Sequence, residues 1–349
     1  MSDGQPSGRL SRISVTGSLR AAVRLISVPV TVFLIATFAT YALGALGKAN
    51  PAATVLGQDA TPSSIAQLNH EFGLDKPFLV QYFDWLGHAL TGNLGVSYFT
   101  SIPVATSIGQ SFPVDLSLAL LALTFSVVFG GAAGITAALR HGGWFDRAVS
   151  AVCSGLATVP PFLVGIVLIV LFAVVFRLLP SGGYVPFTQD PGQWLRFALL
   201  PSLALSAEGA AAIARQLRTS LVGALQENYV LGAAARGLSV RRTVFRHVLR
   251  NAAGPALTVL GVQIPLLIGG AVVAEKMFAL PGVAQLALQA GTERDVPVIQ
   301  GALLVTIGVV LVSNIVVNAV LFRITPQARR GTRSARRRVA LQPVVGGAA

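Results

Sequence analysis

Six stretches of this chain are long and apolar enough to cross a lipid bilayer as helices, and nothing else constrains the fold as strongly. A crossing helix takes about 17–25 mostly apolar residues. The candidates are 24–46, 113–139, 148–177, 196–217, 255–275 and 299–323. Of the 349 residues, 53% are hydrophobic and 11% charged, whereas an ordinary soluble domain carries about 25% charged residues. This balance excludes a disordered chain, a disulfide-stapled secreted module and almost any water-soluble enzyme. The single Cys153 lies in an apolar segment and permits no intramolecular disulfide and no cysteine-based metal site. The expected fold is an all-α polytopic membrane protein with six transmembrane helices. Arg9, Arg12, Arg20 and Arg24 before the first stretch resemble the basic flank of a signal peptide. The apolar run from Leu25 to Leu46 is long for one, so it reads as a full span.

Lys and Arg accumulate on the cytoplasmic side of membrane proteins. With the N-terminus cytoplasmic, only Lys48, Lys76, Arg177, Arg196, Lys276 and Arg294 of the 26 basic residues fall outside. The spacing therefore predicts both termini inside. The net charge of +13 then reports basic inner loops rather than nucleic-acid binding. The chain divides into a basic N-terminus 1–23, a first helix 24–46, an external segment 47–112 with short helices, and a five-helix core 113–323. That core includes an inner loop 218–254 and an external segment 276–298. The Arg-rich tail 324–349 reads as a cytoplasmic anchor to anionic membrane lipid.

Two of the loops carry local structure of their own. In 47–112, Pro62, Ser63 and Ser64 mark a helix start and Gly73 its end, with Ile65, Leu68 and Phe72 at helical spacing. A second helix runs from Pro77 to Leu90, with Phe78, Tyr82, Trp85 and Leu86 on one face, before a turn at Gly92-Asn93. The segment is either an amphipathic cap on the outer membrane surface or a docking surface. In 218–254, Ala233, Ala234, Ala235 and Arg236 are good helix formers, Gly237 suits a C-cap and Ser239 an N-cap. The loop thus reads as two short helices broken at Gly237-Leu238-Ser239, the second studded with Arg241, Arg242, Arg246 and Arg250. It either lies on anionic lipid or enters a groove on a cytoplasmic protein.

Tyr229-Val230, Ala233 to Ser239, Arg241-Arg242, Arg246-His247, Leu249 to Ala252 and Pro255 resemble the cytoplasmic loop of ABC importer permeases. More narrowly they resemble the B-type subunit of the dipeptide/oligopeptide/nickel family. Phe72 to Pro77, Tyr82, Trp85-Leu86, Gly92 to Ser97 and Pro103-Val104 resemble its external segment, and Gly143 to Arg147 its inner turn. Gly270 to Glu275, Phe278, Pro281 to Val283, Arg294-Asp295 and Pro297 to Gly301 resemble its last external segment. The likeness runs from about residue 20 to 326. It departs where the general importer loop has a Glu and a late Pro; Leu231 and Arg250 stand there.

The resemblance implies a type I importer permease for di- or oligopeptides, working with a second homologous permease, two cytoplasmic ATPase subunits or domains and an extracytoplasmic solute-binding protein. This chain would bind no cofactor; ATP and Mg²⁺ would sit on the ATPases, and the chain has no Gly-x4-Gly-Lys-Ser/Thr phosphate loop. The resemblance places a coupling helix at Ala233–Arg242. It places binding-protein docking in the two external segments, with Asp75, Trp85, Asn93, Phe278, Pro281 and Gly282 as candidates. Glu208, midway along 196–217, is an acid the family pattern does not lead one to expect. Either it faces the translocation path and meets a substrate amine, or it makes a structural hydrogen bond to the partner subunit. Pro160-Pro161, Pro255 and Pro265 allow kinks within spans.

Nickel, haem or another chelate is the alternative cargo, although no cluster of His, Cys and Asp at metal spacing is present. An intramembrane serine protease lacks a base, because all His and Lys lie outside the spans as drawn. An ion-coupled secondary transporter has only Glu208 in its favour and no repeat in the sequence to support it.

Overall fold

The computed structural model describes residues 15–46 and 50–324, and among them the chain is helical, with one isolated bridge between Val96 and Pro103. The basic tail and the first fourteen residues lie outside the described residues. Two compact units divide near Gly92.

The first unit holds α1 (Val15–Leu46), α2 (Pro51–Leu56), α3 (Pro62–Glu71) and α4 (Phe78–Leu90). Thr61 caps α3: its Oγ1 accepts the Ser64 N–H at 3.1 Å, and Ser64 Oγ accepts the Thr61 N–H at 2.9 Å. This capping box fixes the start of the helix at Pro62, as the sequence leads one to expect. At the other end Gly73 takes a φ of 69°, which suits a residue without Cβ. Tyr82 and Trp85 of α4 are buried against Tyr41 of α1, and the Tyr82 hydroxyl lies 3.0 Å from Thr37 Oγ1. Phe78, Tyr82 and Trp85, spaced for one helical face, therefore form an aromatic seam.

The second unit is built on α5 (Val104–Leu139) and α8 (Pro191–Leu225). Ser126, Gly130, Gly134 and Ala138 recur every four residues along α5 and are buried. A Cβ on Gly130 would lie 2.5 Å from the Ala210 carbonyl oxygen, and one on Gly134 2.7 Å from that of Ala214. Small residues let the two backbones touch, the usual way helices associate where water cannot drive them together.

The stretch drawn as one span at 148–177 is instead two helices. α6 (Trp144–Thr158) and α7 (Pro161–Leu168), the latter continued by a π-helical turn over Ile169–Val175, meet at 109°. Pro160 and Pro161 account for the break: Val159 and Pro160, each preceding a proline, are held extended, and neither proline offers an N–H. The remaining helices are α9 (Asn228–Ala235), α10 (Val240–Thr243), α11 (Leu249–Met277), α12 (Val283–Glu293) and α13 (Val296–Ile324). α11 bends by 55° between Leu267 and Gly269, just past Pro265. Among the described residues three helices are long and apolar enough to cross a membrane, or up to five if each bent pair is one crossing.

Candidate functional site

The inner loop is built from the expected two helices. α9 ends at Ala235, Gly237 takes a φ of 74°, and the Leu238 N–H returns to the Ala233 carbonyl at 3.2 Å. Ser239 then caps α10, its Oγ accepting the Arg242 N–H at 3.3 Å. Ala235, Arg236, Gly237, Ser239 and Arg242 are exposed, Leu238 is half-buried and Ala233 is buried. Ala234 lies within α9 and Arg241 within α10. Beneath this exposed tip, Val248 and Ala252 pack with Ala138 of α5 and with Leu217 and Leu221 of α8. One apolar cluster thus fastens the loop to three long helices.

The external candidates separate by burial. In the first unit, Asp75 is exposed and its Oδ2 lies 2.7 Å from His70 Nδ1; that hydrogen bond holds its carboxyl below the usual carboxylate range. Trp85 is interior, in the aromatic seam. In the second unit, Asn93 is exposed and its Oδ1 accepts the Gly95 N–H at 3.0 Å. Pro281 is exposed, but Phe278 is 1% exposed, and its carbonyl accepts the Gly183 N–H at 2.8 Å. Gly282 is buried as well. Phe278 and Gly282 therefore support the 278–283 turn from its buried side.

Gly282 stands where two acids converge. It is the N-cap of α12, and a Cβ there would overlap the Glu275 carboxyl and approach Asp115 Oδ1 to 2.7 Å. Asp115 Oδ2 accepts the Val283 N–H at 2.9 Å, and Glu275 Oε2 accepts the Gln285 N–H at 2.6 Å. The first N–H groups of a helix have no partner within it; here carboxylates from α5 and α11 supply them. Asp115 went unnoticed as a site residue in the sequence. Its signal was an acid just inside an apolar span. Nearby, Ser97 Oγ–H donates to Asp295 Oδ2 at 2.5 Å, pinning the 95–103 turn to the start of α13.

At the opposite end Asp146 is buried. It accepts both Nε and Nη2 of Arg218, the latter at 2.7 Å, together with the Gly142 N–H at 3.0 Å, and lies 3.2 Å from His141 Nδ1. The GWFDR turn thereby ties α6 to α8. Glu208 is half-buried on α8, and no ion pair to it occurs among the described residues. No group of three or more potential metal ligands occurs among the described residues either.

Residues 130–330 match the family of binding-protein-dependent transport system inner membrane components, and residues 18–119 match its N-terminal part. A probable peptide ABC transporter permease protein, y4tP, from Sinorhizobium fredii is 36% identical over 88% of this chain and 97% of its own length. The di/tripeptide transport system permease protein DppB of Pseudomonas aeruginosa is 35% identical over 88% and 97%. The metal-staphylopine import system permease protein CntB of Staphylococcus aureus is 33% identical over 86% and 95%. A chain of the MetNI methionine ABC transporter, solved in inward-facing conformations, superposes with a TM-score of 0.52 at 17% identity, over 62% of this chain and 96% of that one. That last likeness is one of fold.

Proposed function

The chain belongs to the binding-protein-dependent transport system inner membrane components, as a multi-pass ABC importer permease of the peptide/nickel branch, and from this premise we propose that it forms half of the translocation pathway of an ATP-driven importer for di- and oligopeptides. A second, homologous permease forms the other half, and an extracytoplasmic binding protein delivers the cargo. ATP and Mg²⁺ are bound by two cytoplasmic ATPase subunits or domains and not by this chain. Both termini are cytoplasmic and the six apolar stretches cross the membrane; the lopsided Arg distribution supports this orientation.

The observation that carries the mechanism is the inner loop. Its tip is exposed at Ala235, Arg236, Gly237, Ser239 and Arg242, while its root is packed into α5, α8 and α11. A helix seated in an ATPase cleft at that tip moves the long helices as a lever when the ATPases close, and the pathway changes the side on which it opens. Of the external candidates, the exposed Asp75, Asn93 and Pro281 are assigned to binding-protein docking, with Trp85, Phe278 and Gly282 supporting them. Glu208 is assigned to the pathway; normal transport of every tested substrate by Glu208→Gln removes that role.

The names of y4tP and DppB favour a peptide cargo. CntB supports a second reading, a metal chelate. The test is ATP hydrolysis in lipid discs by this chain assembled with its partner permease, ATPases and binding protein. Stimulation by the peptide-loaded binding protein is expected, and its loss in the Gly237→Pro, Leu238→Asp double variant, because proline cannot take the positive φ of Gly237. Copurification without any ATPase, or full stimulation in the variant, overturns the proposal. Stimulation by a nickel-chelate-loaded binding protein alone selects the second reading.

A further inference from the structure

Beneath α12 lies a cavity of about 160 Å³, walled by α5, α8, α11, α12 and α13. Its walls are mainly apolar, with Leu120, Leu267 and Val305 among them, and its polar lining is made by Asp115, Glu275, Thr306 and Ser313. Glu275 is 0% exposed. Each acid spends one oxygen on the α12 N-terminus. The other two, Asp115 Oδ1 and Glu275 Oε1, are buried with no donor among the described residues.

Charge sharpens the point. No Lys, Arg or His pairs with either acid among the described residues. The N-terminus of α12 contributes about half an elementary positive charge, too little for two carboxylates in an apolar surround. A missing polar partner in such a place costs stability unless something supplies it. A hard metal ion does not fit, since Ca²⁺ or Mg²⁺ takes about six or more oxygens and the lining adds only the Thr306 and Ser313 hydroxyls to the two carboxyls. An ammonium group attached to an apolar body does fit. Its N–H groups meet the two carboxylate oxygens, and its body meets the walls. An apolar cavity of about 150 Å³ holds a molecule the size of benzene, so this one has room for one apolar side chain.

We propose that this cavity is a subsite for the amino-terminal residue of a peptide, taking its free α-ammonium between Asp115 Oδ1 and Glu275 Oε1 and its apolar side chain among Leu120, Leu267 and Val305. The proposal rests on the peptide reading above and names which end of the cargo is read. Because the same carboxyls cap α12, a bound ammonium also draws that helix onto α5 and α11.

The test uses the assembled transporter in lipid discs, without binding protein, and radiolabelled Leu-Ala. Wild type is expected to retain Leu-Ala, with N-acetyl-Leu-Ala competing about tenfold or more weakly, as expected for loss of a charge-assisted contact. Glu275→Gln and Asp115→Asn keep an oxygen for the α12 N–H groups and are expected to weaken binding by about tenfold or more. Ala271→Phe fills the cavity from the α11 wall without altering either acid, and is expected to abolish binding while the complex still copurifies. Absence of Leu-Ala binding by wild type, equal competition by the acetylated peptide, or wild-type binding in Ala271→Phe overturns the subsite. Binding-protein-dependent uptake of Leu-Ala, measured in parallel, separates the two ideas. Uptake without cavity-dependent binding sinks the subsite alone, whereas failure to import any peptide sinks the peptide reading.

Discussion

The two ends of the second unit each bury acids, and they treat them in opposite ways. At the GWFDR turn, Asp146 meets a guanidinium, an imidazole nitrogen and a backbone N–H, so both its oxygens are used and a cation stands beside it. At the α12 turn, among the described residues, Asp115 and Glu275 accept from backbone N–H groups and each keeps one oxygen without a donor. The same residue type thus serves as a closed tie in one place and as an open acceptor in the other. A carboxylate buried with its cation has little left to offer a ligand; a pair buried without one still needs a positive group.

The sharpest way to break this contrast is Arg218→Ala. Asp146 has a side chain only 3% exposed and would be left alone. Breaking a buried pair costs about 3–5 kcal/mol; Arg218 is 27% exposed, so solvent screening reduces the expected loss to about 2–3 kcal/mol. Thermal unfolding in lipid discs reads it. Gly282→Ala comes next: its Cβ has no room between the two carboxyls, and overpacking of this kind costs about 1–3 kcal/mol. Gly223→Ala, where a Cβ meets nothing within 4 Å, is the control expected to leave the melting temperature unchanged or slightly raised.

Glu275→Gln is expected to cost no more than about 1 kcal/mol, because an amide oxygen still accepts the Gln285 N–H. If it destabilises more than Arg218→Ala, the α12 turn is the closed tie and the contrast is wrong. The smallest effect belongs to Asp295. Burial pushes its carboxyl above the ordinary range, opposed by the Ser97 hydrogen bond. A raised folded pKa favours the fold while the acid is neutral. That contribution is complete below the unfolded value and is lost as pH rises through the folded one. Asp295→Asn is therefore expected to flatten the decline in stability above the ordinary carboxylate range, read as melting temperature against pH.

What the sequence by itself determined is local. Apolar runs marked the long helices, and Ser64, Gly73, Gly237 and Ser239 marked caps whose partners lie within a few residues. Pro160-Pro161 announced a disturbance at the right place, though the helix breaks there rather than bending. What only the tertiary structure decided depends on residues far apart in the chain. Phe278 reads as a surface aromatic until Gly183, on a separate loop, hydrogen-bonds its carbonyl. Asp115 reads as an isolated acid until the α12 N-terminus, 168 positions later, comes to rest on it. Helix propensity and capping act over one or two turns and can be seen along the chain. Whether a charge is neutralised depends on what folding places beside it, so no window of sequence could have told the closed acid from the open pair.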